Sequence, residues 1–466
     1  MAATAARATP AGEKGLVRGL GLLDATTLIV GSVIGSGIFF APSLMARYLQ
    51  TPGLLLGLWL LGGMLTLFGA LSYGEMAAAI PRAGGQYVFL SEALGPIWGF
   101  LYGWTFLLAI NTGFVAAVAV AFAKTLGFFV PAVGEDIVLL GLGGVRFSSA
   151  QAVALLVIAV LTWLNVTGLR TGALVQNAFT IAKVAAVAAL VVLAVVTGRG
   201  SLANLTPVVG GQLGQEGAKL GLLAAMAVAM SKALFAYDAW NSITLAAEEV
   251  KEPEKNLHRS LILGTLGVTA VYCAAVTVYL YLVPITEMAG VRENRVATEA
   301  AVRMIGPAGG ALIAVAILVS TFGCVNGLTL AGARVVYAMA RDGLFFRRAS
   351  VVHPRYRTPA FALVLHGVVA ALLTFTGTYN DLLTLTAFSS LLFNVLTVIG
   401  LFVLRNTQAH LPRPYLVWGY PVVPATYVLV ATFFVVYILV GDPKNSGLGL
   451  VLSALGIPVY LYWRRR

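Results

Sequence analysis

The sequence predicts an all-α integral membrane protein, and three observations carry that expectation. Of its 466 residues, 59% are hydrophobic and 10% are charged, against roughly 25% charged in soluble domains. Mean hydropathy is +0.91. Apolar runs about as long as a bilayer is thick recur along the whole chain. In lipid every backbone polar group must be satisfied internally, which leaves helices or closed barrels. The runs are continuous, not alternating, and that selects helices.

Twelve spans are expected, near residues 21–47, 54–80, 97–126, 148–166, 173–196, 220–246, 261–283, 308–338, 360–378, 382–404, 418–440 and 446–463. Residues 1–15 are small and polar and are expected to be disordered. No short apolar segment with a small-residue cleavage site precedes the first span, so a cleavable signal is not expected. Cys273 and Cys324 both fall in spans, and no disulfide framework is indicated. With the N-terminus inside, eighteen of the thirty Lys and Arg lie in cytoplasmic segments and nine on the outer side. Lys183, Lys232 and Arg334 lie within spans. The bias orients both termini to the cytoplasm. The net charge of +12 is then a topology signal, not a nucleic-acid footprint.

Span one contains GSVIGSG, residues 31–37. A dinucleotide-binding turn needs a preceding strand in a soluble βαβ unit, which the membrane context rules out. Gly31 and Gly35 also form a GxxxG packing motif. The third reading is a broken helix. Irregular backbone at membrane depth survives where it lines protein or a cavity, and transporters build sites there. Such a break frees N–H groups at the start of its second half and carbonyls at the end of its first. The N–H end attracts an anion. Ser36 adds a hydroxyl.

A partner break is expected in a later repeat. Span six offers SKALFAYDAWN, residues 231–241, with a charged, aromatic and polar cluster in mid-span. Asp238 is suited to N-cap the second half of that helix. A unit of five spans starts inside and ends outside, so its copy inserts upside down.

GSVIGSGIF in span one, GEMAAAIPRAGGQY after span two, FAYDAWN with AAEEVKEPEKNL in span six, and GARVVYAMARDG in span eight together resemble the amino acid–polyamine–organocation superfamily. The likeness is greatest to its L-amino-acid-transporter-type exchangers and their bacterial relatives, and it covers spans one to ten. The resemblance implies a LeuT-like five-plus-five inverted repeat with discontinuous helices one and six. Residues 16–196 would form the first repeat, 220–404 the second, and 405–466 two further helices with a cytoplasmic C-terminus. It also implies a mid-membrane amino-acid site. Backbone N–H groups around Ser36 and Gly37 would hold the carboxylate, carbonyls near Val33, Phe235, Ala236 and Asp238 the α-ammonium, and Ile34 and Gly35 would also line the substrate site. Phe235 would act as a lid over the substrate, with helix packing as the plainer reading.

Lys183 lies near the centre of span five, about ten residues from either end, where a charge is costly unless paired or hydrated. By the resemblance its ammonium stands where sodium binds in sodium-coupled relatives, bridging spans one and eight near Ser320 and Thr321. A permanently paired structural lysine is the alternative. Lys232 departs from the family, which carries a small residue there, and leaves the local charge balance open. Glu75 and Arg334 are costly in lipid. They are expected to pair with each other or with Arg341 and Asp342 as an inner gate latch, unless both sit at solvated helix ends.

Enzyme classes find no support. The four histidines are scattered, and no HExxH, CxxC pair or phosphate loop occurs. A channel would need a pore-lining ring or repeated filter segments, neither of which is visible. No metal or cofactor is implied. The loop from Gly127 to Phe147 lacks the cysteine by which eukaryotic relatives attach a heavy-chain subunit, so none is expected. The expected protein is a prokaryotic inner-membrane carrier of neutral L-amino acids, independent of sodium and working as an exchanger. A proton-coupled symporter, with Lys183 or Glu75 titrating, is the alternative.

Overall fold

The computed structural model describes residues 19–82, 84–142, 145–167, 173–356, 358–375 and 377–465; of 142, 145–146 and 173–179 it describes only the backbone. The stretch expected to be disordered, 1–15, lies outside the described residues. Eleven helices among them are long and apolar enough to cross a bilayer. They run Leu22–Ala46, Pro52–Ala79, Pro96–Leu126, Ser149–Val166, Thr180–Thr197, Leu222–Glu249, Pro253–Leu282, Pro307–Arg341, Tyr379–Thr407, Val422–Gly441 and Pro443–Arg464. Numbered with the shorter apolar helix Ala360–Leu373 as span nine, they follow the twelve expected runs in order. The chain is an all-α membrane protein.

Local chemistry sets the ends of these helices. Pro52, Pro96, Pro253, Pro307 and Pro443 each occupy the first turn of a span, where a missing N–H costs nothing. Gly95 and Gly306 precede two of them with φ of 104° and 75°, a turn that residues with a Cβ rarely adopt. Ser148 and Gln151 cap span four reciprocally, as Thr378 and Asp381 cap span ten.

Three expectations change. Span nine stops at Leu373, not 378, because Thr378 already caps the next helix. Its 14 residues rise about 21 Å, short of a bilayer core. Span seven starts at Pro253, eight residues before its apolar run, because a proline start and Glu254 favour a helix there. The loop after span three holds an antiparallel hairpin, Val138–Leu142 with Val145–Ser148.

Burial separates an inner group of spans from an outer one. Spans one and three bury 83% and 89% of their apolar stretch, and six and ten 72% each. Spans five and twelve bury only 28% and 22%. Exposed apolar residues such as Val195, Leu429 and Val440 are what a bundle presents to lipid. The first half of span one packs on spans five and seven, and its second half on span six.

The expected pairing of Glu75 with Arg334 is absent. The Glu75 carboxylate, 1% exposed, takes Arg405 at 2.6 Å and Arg413 at 3.5 Å, and accepts the Val417 N–H at 2.8 Å. Arg334 is nearly half exposed and pairs with Glu249 at 3.0 Å. The physical reason is position. Glu75 faces span ten and the segment before span eleven, which supply two guanidiniums, while Arg334 faces the end of span six. Glu75 therefore joins span two to spans ten and eleven, not to span eight. Glu75→Gln should lower the unfolding free energy in detergent by on the order of 3 kcal/mol, since it takes the buried anion away from two part-buried guanidiniums. Glu252→Gln, in an exposed pair with Lys255, should leave the unfolding midpoint unchanged.

Candidate functional site

Span one is broken at the glycine stretch. The helix Leu22–Val33 ends, residues 34–36 are irregular, and a second helix runs Gly37–Ala46. Ile34 and Ser36 are fully buried. Span six breaks as well. Its helix ends at Tyr237, Asp238 is extended, Ala239 has φ 65°, and a 3₁₀ turn follows at Ser242–Glu249. The two breaks touch. A Cβ on Gly37 would stand 2.5 Å from the Ala236 Cβ and 2.6 Å from its Cα, so glycine is what allows this contact.

The freed backbone groups sort into two poles. Among the described residues the N–H groups of Ser36, Gly37 and Ile38 make no backbone hydrogen bond, which leaves a donor pole at the start of the second half-helix. The carbonyls form the acceptor pole. Lys183 donates to Gly31 O at 2.9 Å and Ile34 O at 3.1 Å. Ser320 of span eight donates to the same Ile34 carbonyl at 3.3 Å. The Tyr272 hydroxyl of span seven lies 2.9 Å from Val33 O and 3.0 Å from Ala236 O, one proton between two acceptors. Phe235 O accepts the Asp238 N–H at 3.2 Å.

Aromatic rings cover this centre. Phe235, 3% exposed, stacks on Phe114 with centroids 4.5 Å apart and meets Tyr379 edge-on at 6.4 Å. The Tyr379 hydroxyl donates to the Ser36 hydroxyl at 3.0 Å. Cys324 sits under the break, its Sγ 3.1 Å from where a Gly35 Cβ would stand.

The structure thus brings together Val33, Ile34, Gly35, Ser36, Gly37, Phe235, Ala236 and Lys183. It separates Glu75 and Arg334 from them. Lys183 hydrogen-bonds span one directly and shares the Ile34 carbonyl with Ser320 of span eight, while Thr321 turns back to Ile317 O within its own helix. Asp238 does not cap the second half of span six as expected. Its Oδ1 accepts the adjacent Ala239 N–H at 2.7 Å, because the left-handed turn at Ala239 directs that N–H back onto it. Asp238 instead lines a cavity of about 20 Å³ with Thr66, Ser390, Asn394 and Tyr427. Lys232 points away from Asp238, to the Thr384 hydroxyl at 2.5 Å and Asn380 O at 3.4 Å.

Tyr272, Tyr379 and Phe114 were not foreseen. Tyr272 sits in an apolar run, while Phe114 follows Gly113 and Tyr379 stands between Gly377 and Asp381 at the start of span ten. Such neighbours read as packing or a helix cap, and tyrosines in a membrane span are ordinarily packing or interface residues.

Gly37→Ala should abolish ligand binding, because the new methyl forces the two half-helices apart. Gly57→Ala, where a Cβ meets nothing within 4 Å, should bind as the parent does. Calorimetry on both purified variants, with melting curves to establish folding, checks the pair.

Residues 20–459 match the model of the amino acid permease family. The chain is similar to the serine/threonine exchanger SteT of Bacillus subtilis, 31% identical over 456 residues covering 97% of this chain and 98% of that one. It is similar to the human b(0,+)-type amino acid transporter 1, 32% identical over 444 residues and covering 94% and 86% of the two chains. The human large neutral amino acids transporter small subunit 2 is 30% identical over 462 residues, covering 98% and 82%. Broken helices with opposed donor and acceptor poles, on a chain matched nearly end to end, make this protein a member of the amino acid permease family.

Proposed function

We propose that the protein is a sodium-independent exchanger of neutral L-amino acids that works by alternating access. The observation that carries this reading is Lys183 on the Gly31 and Ile34 carbonyls. A fixed ammonium there satisfies freed carbonyls that a bound cation would otherwise satisfy, which supports a cycle without sodium. The N–H groups of Ser36, Gly37 and Ile38 suit a carboxylate. The carbonyls of Val33 and Ala236 suit an α-ammonium, with Phe235 as lid. Exchange is supported by the likeness to a serine/threonine exchanger.

The same likeness, with Thr66, Ser390 and Asn394 around the small cavity that Asp238 lines, favours a small polar side chain on the substrate. The cavity has room for about one water-sized group. The two breaks, five spans apart, support inverted repeats at 16–196 and 220–404 followed by 405–466. The basic-residue bias supports cytoplasmic termini. A prokaryotic inner membrane and function without a disulfide-linked heavy chain complete the reading.

Proton-coupled uptake is the second reading, and Lys183 is its titrating group.

Proteoliposomes preloaded with threonine should take up labelled threonine, and empty ones should not. Replacing sodium by potassium should leave the rate unchanged. Uptake without internal amino acid that accelerates in acid would replace exchange with proton symport. Serine and threonine should compete best; stronger competition by lysine would overturn the neutral assignment and make Asp238 the partner of a cationic side chain. Lys183→Ala should reduce exchange by about a hundredfold or more, as expected when buried carbonyls at a binding site lose a charged donor. Parent-level exchange in that variant would remove Lys183 from the cycle.

A further inference from the structure

Across the breaks from Glu75, a second charged group is sealed from solvent. Lys124, in the last turn of span three, is 0% exposed. Its ammonium meets Glu135 at 2.5 Å and Glu293 at 3.3 Å. It also stands 6.0 Å from the ring centre of Phe40 and 5.3 Å from that of Tyr379. Those rings pack on each other at 5.5 Å, and Tyr379 is the residue whose hydroxyl reaches Ser36.

The two carboxylates tie this lysine to every segment that closes the face. Glu135 Oε1 accepts the Tyr379 N–H at 2.7 Å, in the first turn of span ten, where the helix dipole favours an anion. The Glu135 N–H donates to Glu293 Oε1 at 2.9 Å. Gly134 permits that approach, since a Cβ there would stand 2.8 Å from the same oxygen. Glu293 belongs to the loop between spans seven and eight, and this loop also holds the outer half of span one. Ser43 donates to Met288 O at 2.7 Å, and Arg47 donates to Asn294 Oδ1 at 2.7 Å. Arg295 donates to Lys124 O at 3.2 Å.

Glu293 and Asn294 have φ of 54° and 58°, an uphill backbone for a glutamate. It persists because the buried carboxylate is bound on several sides. Without the ammonium, the two neighbouring carboxylates would repel each other and keep only backbone N–H donors, Tyr379 for Glu135 and Glu135 for Glu293. Parting the loops would relieve that repulsion.

We propose that Lys124 is a positioning residue that latches this face of the site shut, holding Glu135 and Glu293 together so that Phe40 and Tyr379 stay over Ser36. The role in transport rests on the exchanger reading; the latch itself does not. In the proposed orientation this is the outer face.

Cys324, buried beneath Gly35, reports entry of water to the site. With Cys273 replaced by alanine it is the single thiol, and a water-soluble methanethiosulfonate can be timed against it on purified protein in nanodiscs. Lys124→Met should raise the modification rate by about tenfold or more, the response to losing a buried ion pair that held a closed state. Lys124→Arg should restore protection. Glu135→Gln and Glu293→Gln should each raise the rate and add little to Lys124→Met, since all three act through one cluster. If Lys124→Met does not fold, the glutamine variants carry the test. A rate within about twofold of the parent in monodisperse Lys124→Met, or in both glutamine variants, overturns the latch. The readout needs no flux, so absence of exchange in liposomes would overturn the transport reading and leave this measurement standing.

Discussion

Everything at the centre of this protein follows from carbonyls freed at residues 31–36 in a medium that supplies no water. A helix satisfies its backbone internally; a helix that stops at Val33 does not. The chain meets that deficit from three directions. Lys183 comes from span five, Ser320 from span eight and Tyr272 from span seven, while Ala236 of span six packs against Gly37. Each donor lies on a different helix, so the break is also the point where the bundle is joined. A protein that bound nothing here would gain stability from an unbroken helix and an alanine at 37.

Two charge clusters frame that centre and differ in kind. Glu75 draws two arginines and a backbone N–H onto one carboxylate, with Arg405 stacked 3.6 Å over Tyr420. That cluster binds span two to spans ten and eleven. The Lys124 cluster reverses the stoichiometry, with one cation holding two carboxylates that arrive on loops. Loops part more readily than packed helices, because fewer apolar contacts hold them. In the proposed latch both carboxylates come from loops, whereas at Glu75 the carboxylate and Arg405 sit on packed spans and Arg413 on the segment between spans ten and eleven.

How much of this was legible depends on whether a feature leaves a mark in composition. The break in span one is visible because Gly31, Gly35, Ser36 and Gly37 oppose helix formation in a run that otherwise favours it. Lys183 is visible because a mid-span charge needs a reason. The spans themselves are legible from length and apolarity, save the end of span nine, set by the cap of its successor, and the start of span seven, set by Pro253. Partner choice is not legible. Glu75 and Arg334 each announce a cost, but which opposite charge answers depends on how the helices rotate against one another, and hydropathy says nothing of that. Lys124 escaped for a related reason. Two residues from the end of its helix, it reads as a solvated terminus until the loops that cover it are in place.

The Tyr272 hydroxyl faces two carbonyls with one proton, and that shortfall has an energetic sense. Val33 O also accepts the Gly35 N–H at 2.7 Å, so it is Ala236 O that relies on the shared Tyr272 proton, and each carbonyl keeps a lone pair for a further donor. An α-ammonium brings three N–H groups to this point. In the exchanger reading, the closed state is therefore under-supplied until substrate completes it, and a vacant carrier climbs a higher barrier between its two faces than a loaded one. Obligate exchange would then be enforced by a missing hydrogen-bond donor, with no second ion needed to couple the return step.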